Sequence, residues 1–154
     1  PTLFKVDAMR TAAIPGFVLL LLSTVSLSAW SDGRILSFDG DVRVNGQPVT
    51  SETQLTSSDT VTTGDDSSVR IILSDNSVLD LDAGSKILIS DYSFNPSEPE
   101  TNTSEVDILA GTLRYVSGRI AKDDPDNVSF TAGNSTIGGR GTFVRISVSP
   151  SESE

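Results

Sequence analysis

The sequence contains neither cysteine nor histidine among its 154 residues. Without cysteine there are no disulfide bonds, no thiol catalysis, no cysteine metal sites and no lipid-modified N-terminal cysteine. Without histidine as well, neither a Ser-His nor a Cys-His nucleophile pair can be assembled, and the common zinc sites lack their usual ligands. These two absences exclude several of the most frequent classes of enzyme and metal site.

Basic residues are few: 11 Lys and Arg stand against 21 Asp and Glu, which gives a formal net charge of −10. Such a charge opposes binding to nucleic acid or to anionic lipid, so we predict no nucleic-acid partner. The favoured explanation of the acidity is the solubility of an exported domain. The alternative is that some of the acidic side chains bind a cation.

Long amphipathic helical patterns are also missing, whereas serine and threonine are abundant and glycine occurs 12 times. This balance is typical of short strands joined by turns and predicts an all-β fold. Once the leader described next is removed, roughly 125 residues remain, enough for one hydrophobic core and too few for two. We therefore expect a single β domain over residues 30–150, followed by a disordered tail at 151–154.

Residues 9–29 have the features of a secretory signal peptide. Met9 and Arg10 precede an apolar core from Ile14 to Leu22, and small residues follow it. We expect translation to start at Met9 and cleavage to leave Ala29 or Trp30 as the mature N-terminus. The alternative is an uncleaved membrane anchor, although the apolar span is short for a helix that crosses a bilayer. Both readings place the remaining chain in the periplasm or outside the cell.

The stretch from Thr62 to Ser90 contains three short β-type runs, which begin at Ser68, Ser77 and Ser85. Asp75-Asn76 and Ala83-Gly84 supply the turns between them. The nearly even spacing predicts stacked rungs or a tight meander.

Alternation within these runs predicts which side chains are buried. Leu79 and Leu81 alternate with Asp80 and Asp82, so the leucines share one face and the carboxylates the other. The same reasoning along the chain predicts a core that includes Val69, Ile71, Leu73, Leu79, Leu81, Ile108, Leu113, Phe130, Phe143 and Ile146.

Turn signals outside the central stretch divide the rest of the chain into strands. Asn45-Gly46 predicts a two-residue hairpin, and Pro48 belongs at a sheet edge because it cannot donate to a central ladder. Residues 94–105 predict a surface loop, Gly111 a break within a strand, and residues 123–127 an acidic turn.

Five short motifs in order give the chain a resemblance to the FecR-like domain, which occurs in periplasmic regulators of iron uptake and in other exported proteins. The resemblance covers about residues 33–148. The motifs are Gly40-Asp41-Val42, Thr63-Gly64-Asp65, Leu73-Ser74-Asp75-Asn76-Ser77-Val78, Gly111-Thr112-Leu113 and Arg140-Gly141-Thr142-Phe143.

The resemblance implies a short β-solenoid or β-roll of stacked short strands and hairpins. Regulators of this family carry a cytoplasmic segment that engages a sigma factor, whereas at most 13 residues precede the apolar core here. We therefore expect the exported module alone, without the anti-sigma segment.

We favour the interpretation that the acidic residues of the central stretch form a solvated face. Two chemical roles are the alternatives. Asp80 and Asp82, with Asp65 and Asp66 one turn earlier, would offer oxygen ligands to Ca²⁺ between stacked rungs. Paired carboxylates are also the machinery of glycosidases, which place two acids across a sugar cleft. The spacing fits no EF-hand loop, and few aromatic residues are present to stack on sugars.

Arg140 lies between two glycines, which let backbone amides approach a ligand closely. Arg140, Gly141 and Thr142 therefore form a candidate interaction motif for an anion or a peptide terminus. The favoured alternative is structural, in which the glycines allow a bend before the last strand and the arginine pairs with a carboxylate.

These observations predict an exported, non-catalytic FecR-like interaction module, with no catalytic residue, no metal ligand and no cofactor. Its expected partner is an unidentified protein or envelope polymer, bound through an edge strand or a loop face. The membrane is expected to be involved only if the leader stays uncleaved. The alternative function is an envelope enzyme that acts on glycan or peptide through Asp and Glu residues.

Overall fold

The computed structural model describes residues 31–149. Within this range the chain forms a 12-stranded sheet and one short helix, so the prediction of an all-β fold is confirmed. The strands are β1 (Gly33–Asp39), β2 (Val42–Val44), β3 (Gln47–Pro48), β4 (Gln54–Leu55), β5 (Thr60–Thr63), β6 (Ser68–Leu73), β7 (Val78–Leu81), β8 (Lys86–Ser93), β9 (Thr103–Val116), β10 (Val128–Ala132), β11 (Ser135–Gly138) and β12 (Phe143–Val148). Helix α1 spans Arg119–Asp123, and 3₁₀ turns lie at Pro99–Thr101 and Pro125–Asn127.

Strand β9 organises the sheet because its two halves have different neighbours. The first half pairs with β8 and, in parallel, with β10; the second half pairs with β7 and β12. We call the strands in the order β4-β1-β6-β7-β9-β12 sheet I, and those in the order β3-β2-β5-β8-β9-β10-β11 sheet II. Together they form one curled, open half-barrel, and the prediction of a solenoid or roll is not confirmed.

The predicted strand break at Gly111 is not present, because β9 runs without interruption from Thr103 to Val116. Gly111 marks instead the place where pairing with β8 ends and pairing with β12 begins. Gly111 has φ 78, in the left-handed region that favours glycine. A Cβ at this position would also overlap the Ser85 side chain, which belongs to the bend between β7 and β8. The close approach of Ser85 and the backbone conformation therefore both require glycine at the point where β9 passes from sheet II into sheet I.

The hydrophobic core lies between the inner faces of the two sheets. Ile71 of β6 and Ile87 of β8 are fully buried, as is Leu55, the apolar residue of the short strand β4. The predicted core residues that the structure buries are Val69, Ile71, Leu73, Leu79, Leu81, Ile108, Leu113, Phe130 and Ile146. The alternation in β6, β7 and β9 was therefore a sound guide to the buried face.

The prediction that Phe143 belongs to the core is wrong. Its side chain is 59% exposed, and it lies opposite Val116 on the outer face of sheet I. Ile146 is buried and lies opposite the buried Leu113, so the face of β12 that carries Ile146 is the inner one. Phe143 and Ile146 are three residues apart and must face opposite sides of a regular strand.

The three central runs do not stack as rungs. β6 and β7 form the predicted hairpin, with Asn76 at φ 66 in its turn. After Ala83-Gly84, however, the chain does not fold back on β7, because β7 and β8 both pair with β9 along successive parts of its length. The even spacing of the three runs reflects the lengths of the strands and turns. It does not identify the strand with which β7 and β8 both pair, which is β9.

The hairpin predicted at Asn45-Gly46 joins β2 to β3, with both turn residues at positive φ. Pro48 lies in β3 at one edge of sheet II, as expected for a residue without a backbone donor. The predicted loop at residues 94–105 is shorter than expected, because β9 begins at Thr103.

The signal-peptide region at residues 1–29, with its expected start at Met9, its cleavage site and the tail at 151–154 lie outside the described residues. Among residues 31–149, no helix is long and apolar enough to cross a membrane.

Candidate functional site

The most densely bonded polar side chain near the centre of the fold is Asp75, which is 1% exposed. Its Oδ1 accepts hydrogen bonds from the Ser77 backbone N at 3.2 Å, from Ser77 Oγ at 2.6 Å and from Tyr92 Oη at 3.0 Å. Its Oδ2 accepts from the backbone N of Ile120 at 3.2 Å. These donors offset the cost of burying a carboxylate away from water.

Asp75 joins three separate parts of the chain. It lies in the β6–β7 turn, Tyr92 comes from β8, and Ile120 is in the first turn of α1. The backbone O of Asp75 also accepts from the N of Arg119 at 2.8 Å, so Asp75 supports the beginning of the helix. Gly118 precedes that helix, and a Cβ there would overlap the β6–β7 turn.

The environment of Asp75 also acts on the two tyrosines of the protein. Burial raises the pKa of Tyr92, and the negative charge of Asp75 adds to that effect. Burial, followed by the same charge, raises the pKa of Tyr115 to about 12. The ring of Tyr115 meets the ring of Phe130 edge to face, with centroids 4.9 Å apart. Both phenols are therefore held neutral, as parts of the core.

Reasoning from the sequence missed the importance of Asp75 and Tyr92. The Ser74-Asp75-Asn76-Ser77 run indicated a turn, which the structure contains. Its burial depends on β8 and α1, which reach it from 17 and 45 residues further along the chain. No local pattern carries that information, and a five-residue helix is too short to show a periodicity.

The candidate motif Arg140-Gly141-Thr142 forms the bend between β11 and β12. Arg140 Nη2 lies 2.6 Å from Asp126 Oδ1 in an ion pair whose side chains are 74% and 69% exposed. Gly141 has φ 110, and the Thr142 carbonyl accepts a hydrogen bond from the N of Ser117 at 3.0 Å. These contacts agree with a structural bend, and a ligand-binding role for the motif stays a prediction.

Of the four carboxylates considered for cation binding, Asp80 and Asp82 are engaged by arginine, whereas Asp65 and Asp66 form no ion pair within residues 31–149. Arg70 donates from Nε to Asp80 Oδ1 at 2.7 Å and from Nη2 to Asp80 Oδ2 at 2.9 Å, and this contact raises the pKa of Arg70. Arg114 Nη2 lies 2.8 Å from Asp82 Oδ1. No group of three or more acidic side chains suited to a metal ion occurs within residues 31–149.

A family model described as FecR protein matches residues 59–154, from the end of the loop before β5 to the end of the chain. The chain belongs to the FecR family. No curated protein and no solved structure matches it. The resemblance inferred from the sequence motifs is therefore confirmed at the family level.

FecR membership gives the structural features a context. The matched segment contains the Asp75 turn, Gly111 of β9 and the Arg140 motif, whereas Gly40-Asp41-Val42 precedes it. The FecR family is regulatory and non-enzymatic. FecR membership fits a non-catalytic interaction module.

Proposed function

We propose that this FecR-family chain is an exported, non-catalytic module that binds a protein or another envelope component. Family membership supports the non-catalytic class. The polar chemistry agrees with it, because the buried Asp75 holds the fold together and Asp80 and Asp82 pair with arginines. Each of these three carboxylates is already hydrogen-bonded or ion-paired within the protein.

The observation that carries the proposal is the open edge of β12. Among the described strands β12 pairs with β9 alone, which leaves its other side available to an extended segment. Of the other edge strands, β3 and β4 have two residues each, β3 contains Pro48, and β11 has four residues. β12 has six residues and begins with the exposed Phe143. It is therefore the edge best suited to bind a partner.

The export part of the proposal rests on the leader at residues 9–29 and on the envelope association typical of FecR-domain proteins. N-terminal sequencing of the protein from envelope fractions tests it. A mature N-terminus at Ala29 or Trp30 is expected, and an intact Met9 in membrane pellets would contradict cleavage.

Partner binding is tested by crosslinking in the producing bacterium, followed by affinity capture of the C-terminally tagged full chain from envelope extract. We expect a component that is enriched over an untagged strain and reduced by Phe143→Ser. Leu109→Ser is the matched control, because Leu109 is 51% exposed on the part of β9 that belongs to sheet II. A capture that contains nothing beyond the untagged background would overturn the proposed function.

A further inference from the structure

Four charged residues form a row across the outer face of sheet I. Arg70 of β6 lies opposite Asp80 of β7, Asp80 lies opposite Arg114 of β9, and Arg114 lies opposite Arg145 of β12. Their neighbours along each strand, such as Leu79, Leu113 and Ile146, are buried on the inner face. The row therefore lies on the surface, and we call it the arginine row.

Arg145 is the unusual member of the arginine row. Arg70 pairs with Asp80 and Arg114 pairs with Asp82, but Arg145 has no ion-pair partner within residues 31–149. Instead it is placed directly opposite Arg114. Like charges opposite each other on adjacent strands are destabilising. In a chain with net charge −10, the β12 end of this face carries an uncompensated positive charge.

A row of apolar side chains runs beside the arginine row. This apolar row crosses β6, β7, β9 and β12, and each member lies opposite the next on the neighbouring strand. Its members are Ile72, Val78, Val116 and Phe143. Val116 is 38% exposed and Phe143 is 59% exposed. Each of β6, β9 and β12 thus presents an arginine and, two residues away, an apolar side chain on the same face.

We infer that these two rows bind an extended protein segment in which acidic and apolar side chains alternate. The inference rests on the proposed function, in that the module binds a protein, and it places the contact on the outer face of sheet I next to the β12 edge. In an extended segment, successive side chains point to opposite sides. A segment that lies across the strands can therefore place carboxylates against Arg145 and Arg114 and apolar side chains against Val116 and Phe143.

Charge decides between a protein segment and an anionic polymer or membrane. The arginine row, counted with Asp82, has three guanidinium groups against two carboxylates, which leaves one excess positive charge. A dense polyanion would gain little there and would be repelled by the remaining surface of a chain with net charge −10. One or two carboxylates next to apolar side chains match what this face offers.

The test uses a fluorescent synthetic peptide in which two glutamates alternate with valine and phenylalanine, and the same peptide with lysine in place of glutamate. Anisotropy with the purified full chain should show binding of the acidic peptide that weakens as salt is added. Arg145→Glu should weaken it about tenfold or more, since a charge-assisted hydrogen bond is lost and a repulsion gained. Phe143→Ser should weaken it as well.

Two controls separate loss of the surface from loss of the fold. Arg43→Glu reverses an exposed guanidinium on β2, outside both rows, and should leave peptide binding unchanged. Arg145→Glu replaces a like-charge pair by an opposite-charge pair, so the melting temperature of that variant should stay the same or rise. A lower melting temperature would contradict the conclusion that Arg145 and Arg114 repel each other.

Four results would overturn the inference. They are equal binding of the acidic and lysine peptides, acidic-peptide binding unaffected by Arg145→Glu, stronger binding to phosphatidylglycerol vesicles than to the acidic peptide, and self-association that Arg145→Glu abolishes. If the envelope capture described above still retains its component with Arg145→Glu, the proposed function stands and the assignment of this face fails. If that capture retains nothing with any variant, the proposed function itself fails.

Discussion

Tyr92 Oη donates a hydrogen bond of 3.0 Å to Asp75 Oδ1 and accepts one of 2.9 Å from the backbone N of the same residue. Through this reciprocal contact β8 of sheet II holds the β6–β7 turn of sheet I. Because the same carboxylate also accepts from the first turn of α1, a single buried side chain fixes the relative position of three elements. The Asp75-Asn76 turn therefore has a structural role beyond reversing the chain.

Asp75→Ala should destabilise the protein by more than about 3 kcal/mol, because it leaves several buried donors without an acceptor. Tyr92→Phe removes one partner and should cost about 1 to 3 kcal/mol. Urea unfolding followed by circular dichroism measures both. Asp126→Ala is the matched control, since that carboxylate is 69% exposed, and it should change little. Equal unfolding midpoints for Asp75→Ala and Asp126→Ala would show that Asp75 does not hold the fold.

Alkaline unfolding should be coupled to tyrosine ionisation. The pKa of Tyr115 is raised to about 12 by burial and that of Tyr92 is raised as well, whereas an unfolded tyrosine titrates near about 10. The unfolded state therefore loses these protons first, so the contribution of the two tyrosines to stability is constant below about pH 10 and falls as the pH rises toward 12. After a jump to pH 11, absorbance at 295 nm should grow at the unfolding rate. Immediate appearance of tyrosinate with unchanged circular dichroism would contradict this.

Ile71 and Asp80 lie on opposite faces of sheet I and should respond differently to truncation. Ile71 is fully buried opposite Leu79, and Ile71→Ala should cost roughly 2 to 5 kcal/mol. Asp80 is on the outer face with Arg70, so Asp80→Ala should cause a much smaller loss. Chemical denaturation of the two variants side by side decides the matter, and similar losses would mean that the outer face is part of the packed structure.

Gly111→Ala should be far more harmful than Gly46→Ala. Gly111 and Gly46 have similar φ values of 78 and 82, so an alanine is strained at both. A Cβ at 111 overlaps Ser85, whereas nothing lies within 4 Å of a Cβ at 46. The difference in melting temperature between the two variants reports the steric contact alone. If the two melting temperatures agree, β9 and the β7–β8 bend are less closely packed than the structure indicates.

β12 should be required for folding although it comes last in the sequence. It covers one side of the second half of β9, and Ile146 packs opposite Leu113 in the core. Removal of residues 141–154 should therefore give aggregation or rapid proteolysis, whereas removal of 151–154 should be neutral. Limited proteolysis and thermal melting compare the two truncations. An unchanged melting temperature for the longer truncation would make β12 a peripheral strand and would favour a binding role for the Arg140 motif.

Local patterns predicted the class of fold and many of its details. Asn45, Gly46 and Asn76 adopt the positive φ values that a tight hairpin turn requires, a property of those residues and their immediate neighbours. Alternation predicted the buried side chains of β6 and β7 because a strand has a side-chain period of two. It was wrong at Phe143, where the apolar run permits either register and contact with Leu113 selects one.

The sequence by itself determined that this is an acidic β protein of the FecR family, because charge, alternation, turn residues and family motifs can be read from the chain in order. Only the tertiary structure decided that β7 and β8 share β9 as a neighbour, that Asp75 is buried beneath Tyr92 and α1, and that Arg145 faces Arg114. Each of these depends on residues distant in sequence coming together, and the free energy that brings them together is that of the whole core. No segment carries that information alone.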